Sequence, residues 1–148
     1  MTLDSKGRVV VSGRGYIRTL HDINQDGIAD KSIQFAKLDR GTMGMLFDGQ
    51  YLWAVANRAL LRYDDANKDG KADGPPRQFL RLANGEHGAH ALRKGPDGWL
   101  YLVGGNDTGF TSKQFNSLNS PIKKTEGGAI IRFSPDGKTF EALSCGFR

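Results

Sequence analysis

An all-β chain assembled from repeated hairpin units is what three features of this sequence predict. The first is an internal repeat: Asp22-x-Asn24-x-Asp26-Gly27-x-Ala29-Asp30 returns in the same frame as Asp65-x-Asn67-x-Asp69-Gly70-x-Ala72-Asp73, the leading aspartates lying 43 residues apart. The second is a succession of short apolar runs divided by Gly, Asn and Asp turns, the punctuation of strands rather than helices. The third is the lack of any sustained recurrence of apolar residues at three- and four-residue steps. A period of roughly 40–45 residues is that of one four-stranded blade, so the fold class is all-β and the architecture a β-propeller, with about three blades present.

The elements follow in order. Residues 8–12 and 16–20 are predicted strands around the turn Gly13-Arg14-Gly15, and 32–36 is a strand after the first acidic loop. The second unit is fuller: 43–47, 51–56, 59–63 and, beyond the second acidic loop, 78–82. In the third unit 89–93 passes through Gly95-Pro96-Asp97-Gly98 into 99–103, and 129–133 turns at Pro135-Asp136-Gly137 into 140–143. The whole chain, 1–148, is thus read as a partial propeller with blades at about 1–38, 39–84 and 85–146. Its first strand is cut short at Met1-Thr2-Leu3, and Gly146-Phe147-Arg148 reads as the entry to a further blade. Three blades do not close a ring, so the chain is expected to be a fragment. Val9, Val11, Leu46, Leu52, Ala54, Leu100, Leu102 and Ile130 are the expected packed faces. The polar stretch 106–128 is long for a loop without pattern, which marks it as functional or mobile.

Composition narrows the classes of function. With 38% hydrophobic and 25% charged residues the 148-residue chain can bury a core. Its 21 Lys and Arg, net charge +5, are scattered rather than gathered into a stripe with stacking aromatics, which argues against nucleic acid as a partner. No apolar stretch reaches the roughly 18 residues needed to span a bilayer. The start lacks the pattern of a signal peptide, and the single cysteine, Cys145, has no internal disulfide partner. Cys145 lies in an apolar run and reads as a buried, inert thiol. Nucleophile-elbow, Walker and dinucleotide glycine patterns are absent.

The acidic loops carry a chemical reading. Oxygen side chains at alternate positions, with a Gly for the sharp turn, suit calcium. The ligands would be Asp22, Asn24, Asp26 and Asp30 with the carbonyl of Ile28, and Asp65, Asn67, Asp69 and Asp73 with the carbonyl of Lys71. An EF-hand is excluded, because its twelfth position, a bidentate Glu, is here Ile33 or Pro76. The same residues also make turns without an ion, since Asp and Asn hydrogen-bond their own backbone.

The run Glu86-His87-Gly88-Ala89-His90-Ala91-Leu92-Arg93-Lys94-Gly95-Pro96-Asp97-Gly98-Trp99, together with Gly128 to Gly137 and Cys145-Gly146-Phe147-Arg148, resembles the soluble quinoprotein glucose and sorbosone dehydrogenases. These are six-bladed propellers that carry pyrroloquinoline quinone (PQQ). The acidic loops look closer still to the propeller module of planctomycete proteins described as membrane-bound dehydrogenases, often fused to haem-binding domains. The resemblance implies a six-bladed propeller, a sugar or polyol substrate, His87 as general base and Arg148 as a quinone contact, with calcium and PQQ as cofactors. It also implies a periplasmic or extracellular location, with the rest of the propeller and a haem-binding domain as partners in the parent protein. An imidazole suits the base role because it titrates near neutral pH. His90 opens an inner strand, His21 precedes a loop at the surface, and a His87/His90 metal pair lacks an evident third ligand. The competing expectation is a calcium-stabilised, non-catalytic propeller that presents its loops to a carbohydrate or protein.

Overall fold

The computed structural model describes residues 1–83 and 86–147. Their strands form three four-stranded sheets, each a meander in which sequence neighbours pair. The first sheet holds β1 (Thr2–Leu3), β2 (Val9–Gly13), β3 (Tyr16–His21) and β4 (Lys31–Lys37). The second holds β5 (Gly44–Asp48), β6 (Tyr51–Ala56), β7 (Ala59–Asp64) and β8 (Arg77–Arg81). The third holds β9 (Ala89–Lys94), β10 (Leu100–Gly104), β11 (Gly128–Phe133) and β12 (Phe140–Phe147). Among the described residues there is no α-helix, only a 3-10 turn at Ser112–Gln114. Among these residues no helix is long and apolar enough to cross a membrane.

Local chemistry accounts for the hairpins. β6 and β7 are joined by Asn57 and Arg58, whose φ values of 50° and 62° are those of a type I′ turn, the turn whose twist matches that of the strands it links. Prolines fall between strands, as a residue without an N–H must in a paired sheet.

The chain divides into two compact units, Met1–Asn57 with Leu61–Gln78, and Arg58–Leu60 with Phe79–Arg148. In the first unit β1 lies beside β5. Val10, Ile17, Phe35, Met45, Leu52, Trp53 and Tyr63 make its core. Phe35 meets the rings of Phe47 and Tyr63 edge to face, at centroid separations of 5.7 and 6.0 Å. In the second unit the register Leu100↔Phe133 and Leu102↔Ile131 puts four fully buried side chains on one sheet face, and Phe133 stacks on Phe140 at 5.5 Å.

Two expectations need correction, the burial of four packed-face residues and the role of the last ones. Val9 is 36% exposed while Val10 is fully buried, and Ile130 is half-buried beside a fully buried Ile131. Runs such as Val9-Val10-Val11 and Ala129-Ile130-Ile131 carry apolar residues at both parities, so alternation cannot say which parity turns inward. Val11 and Leu46 are likewise only half-buried, whereas Leu52, Ala54, Leu100 and Leu102 are fully buried as expected. Gly146 and Phe147 do not open a further strand. β12 continues through them, with Phe147 paired to Gly128 and register shifts absorbing the extra length.

The long connection between β10 and β11 is not structureless. The side chain of Asn116 accepts the N–H of Phe140 at 2.8 Å, Ser120 Oγ accepts that of Ala142 at 2.9 Å, and the N–H of Ile122 bonds the Ala142 carbonyl at 3.1 Å. These are the outward groups of β12, the edge strand of its sheet. The loop thus covers an edge that would otherwise present unpaired backbone. Ser117 Oγ donates to Glu141 Oε1 at 2.6 Å, and Arg132 Nε lies 2.7 Å from Glu141 Oε2.

Candidate functional site

Two places carry the residues singled out by sequence. The first is the turn that leads into β9. The N–H of Asp107 bonds the carbonyl of His87, and that of Gly105 bonds the carbonyl of Gly88, each at 3.0 Å. A Cβ at Gly105 would press into the His87 carbonyl, so only glycine lets the two segments lie so close. Thr108 holds the other side, its Oγ donating to the Gly105 carbonyl at 2.7 Å and its carbonyl accepting the N–H of Ala83 at 2.8 Å. The result is a fixed platform for His87. His90 projects from β9, with Nε2 3.0 Å from the Glu86 carbonyl.

Glu86, His87, His90, Ala91, Val103, Gly105 and Phe147 line a cleft of about 200 Å³. Sequence reasoning named His87 and His90, and the structure brings them together. It did not name Glu86 as a lining group or Phe147 as the apolar wall. The run Glu86-His87-x-x-His90 was the available signal for the first, and nothing short of the β11–β12 register could signal the second. Arg148, the expected quinone contact, lies outside the described residues. Among the described residues the lining is histidine, glutamate, glycine and apolar side chains.

The second place is the pair of acidic loops, which fold alike in detail. Asp22 Oδ1 accepts the N–H of Asp26 at 3.2 Å and Oδ2 that of Gly27 at 2.8 Å; Asp65 does the same for Asp69 and Gly70 at 3.0 and 3.3 Å. Asn24 and Asn67 each accept the same aspartate N–H, and Asp26 and Asp69 accept from Ile28 and Lys71. Asp30 closes the first loop on the N–H of Ile23 at 2.7 Å, and Asp73 closes the second on that of Ala66 at 2.8 Å. Gln25 and Lys68 both take positive φ, 64° and 57°, and Gly27 and Gly70 follow at 87° and 89°. Most of the oxygens proposed to hold calcium are thus already turned to amides of their own loop. Among the described residues no three acidic, histidine or cysteine side chains form a metal-binding group.

The loops differ in surroundings. Asp65 is 2% exposed, and burial is the main cause that raises its pKa, opposed by the Gly70 and Asp69 amides. All of 22–30 is exposed. His21, next to the first loop, is half-buried, with Nε2 3.2 Å from Thr19 Oγ1. Its pKa is lowered, first by desolvation and then by the charges of Arg8 and Lys31. Cys145 is a free, half-buried thiol in β12.

A sequence profile described as domain of unknown function (DUF7133) matches residues 3–148. No curated protein and no solved structure matches the chain.

Proposed function

This chain belongs to the DUF7133 family, and we propose that its three sheets are blades of a six-bladed propeller whose His87 cleft takes a sugar or polyol for oxidation. The observation that carries this reading is the cleft itself. Its lining joins two histidines and a glutamate to the apolar Ala91, Val103 and Phe147, a mixture suited to a small neutral molecule that presents hydroxyls. Meander sheets recurring with the 43-residue repeat support the propeller. His87 is the residue held on a backbone platform, so it is the group assigned to take a proton from a bound hydroxyl. Glu86 and His90 orient the substrate by hydrogen bonding. The hydride would pass to pyrroloquinoline quinone, the two-electron acceptor that the quinoprotein resemblance implies.

The test is titration of the protein with a panel of sugars and polyols, followed by the imidazole proton shifts of His87 and His90. A binder should shift both. His87→Ala should then lower turnover with an artificial electron acceptor by about 10²–10⁴, the usual worth of a general base. Binding without turnover under any acceptor would leave the second reading. That reading is a calcium-stabilised, non-catalytic propeller that binds carbohydrate or protein, and the repetition of the acidic loops favours it.

A further inference from the structure

The second acidic loop is docked, and the first presents the same surface undocked. Arg8 is aimed by Asp4, whose Oδ2 lies 2.6 Å from Nε. Its guanidinium donates to the carbonyls of Asp69 at 3.3 Å and Lys68 at 3.2 Å. Thr19 Oγ donates to the carbonyl of Gly70 at 3.1 Å, and the N–H of Ala72 bonds the Phe35 carbonyl at 3.0 Å. Three consecutive carbonyls of the loop, 68–70, are thereby read by an arginine and a threonine on the first sheet. A Cβ on Gly70 would meet Thr19 Oγ at 2.9 Å, whereas a Cβ on Gly27 would meet nothing within 4 Å.

We propose that Gln25, Asp26 and Gly27 form a docking face for another β-sheet of this repeat type, one carrying an arginine and a hydroxyl side chain where the first sheet carries Arg8 and Thr19. Four observations carry this. The two loops share the aspartate and asparagine bonds to the amides of 26–28 and 69–71 and the positive φ at 25/68 and 27/70, so the backbone of 25–27 takes the turn that 68–70 take. The first loop has Asp22, Asp26 and Asp30 and no basic residue, while the second has Lys68 and Lys71, so the first is the more attractive to a guanidinium. Ile23 and Ile28, each 70% exposed, flank the face where the docked loop has Ala66 and Lys71. Lastly, none of the three sheets among the described residues offers the partner: Arg8 and Thr19 are occupied by the 65–73 loop, 43 residues on their places are taken by Tyr51 and Arg62, which stack on one another, and in the third sheet the register puts Trp99 and Arg132 there, which stack likewise. A second copy has the same sheets engaged in the same way, so the occupant is a sheet outside these 148 residues. The inference is independent of what the His87 cleft binds.

Two experiments test it. The triple change Ala66→Ile, Lys68→Gln and Lys71→Ile gives the second loop the sequence of the first. Arg8→Ala should lower the melting temperature equally in this background and in the unaltered chain. If the swapped loop makes the protein indifferent to Arg8→Ala, the first sequence lacks the docking ability and the proposal falls. In the second, residues 1–43 are duplicated ahead of Met1, which places an added Arg8 and Thr19 one repeat before the exposed loop. Amide exchange over 23–28 should slow at least tenfold relative to the 148-residue chain, and Arg8→Ala in the added copy alone should reverse it. Unchanged exchange, whether or not the added sheet folds, overturns the assignment. So does slowing that grows with concentration in the 148-residue chain alone, which would give the face to a second copy.

Discussion

Glu141 shows what one carboxylate does for the second unit. It is almost fully buried between Ser117 and Arg132, and the Ser117 hydroxyl, followed by the Arg132 guanidinium, lowers its pKa. A carboxyl with a depressed folded pKa adds stability that is complete above its unfolded value and is lost as pH falls through the folded one. Thermal stability should therefore decline as pH drops below about 4.5, the ordinary glutamate value. Glu141→Gln should cost about 1.5–3 kcal/mol at neutral pH, the worth of hydrogen bonds to a charged group, and should flatten that decline. Asp65 acts in the opposite sense. Its raised pKa lessens stability as pH rises from the unfolded value through the folded one, so Asp65→Asn should steepen the gain in stability on raising pH by removing the opposing contribution. Melting curves at several pH values check both. Neither role was legible in the sequence, where Glu141 is one polar position in a strand and Asp65 is indistinguishable from Asp22. What separates them is burial, a product of packing rather than of local pattern.

At the scale of elements, the acidic loops were the most legible feature and the most incompletely read. Their repetition gave the repeat length, and the fourfold Asx hydrogen bonding follows from side chains that mimic backbone acceptors. Their docking partners, Arg8 and Thr19, are far away in sequence and carry no motif. Calcium, if it stabilises the loops, should raise the melting temperature by mass action, and Asp26→Ala with Asp69→Ala should abolish the rise. A melting temperature indifferent to calcium in the unaltered protein would leave the loops as ion-free turns. Without any calcium, Asp65→Ala should cost more than Asp22→Ala, about 1–3 kcal/mol against less than 1, because the first leaves the buried Gly70 amide unsatisfied and the second leaves its amides in water. Urea titration of the two variants decides this.

For the molecule as a whole, strand order was largely readable because Gly, Asn and Asp turns bound every run, and the predicted strands fall within a few residues of β2 to β12. Which face of each strand is buried was readable only where the alternation was strict. Tyr51 to Ala56 is buried at nearly every position, so alternation disappears there, as it must in a strand covered on both faces. Leu52→Ala and Leu100→Ala should each cost about 2–5 kcal/mol as core truncations, whereas Val9→Ala should change stability little, its side chain being already partly in water. Equal losses at all three would contradict the observed register. The cleft was half legible: its histidines are visible in sequence, but its wall at Phe147 depends on a register shift near the end of β12.

The connection laid along β12 has a consequence for how the protein would fail. Lys123 and Lys124 are exposed within it, while the residues that bond the strand, Asn116, Ser120 and Ile122, lie just before them. A single tryptic cut there would leave every strand in place, yet it would free the cover to peel away. The N–H and C=O groups of Phe140 and Ala142 would then stand open as a template for a strand of another molecule. Nicked protein should accordingly stay folded by circular dichroism at first and then scatter light, with a lag that shortens as concentration rises, while intact protein stays clear under the same conditions.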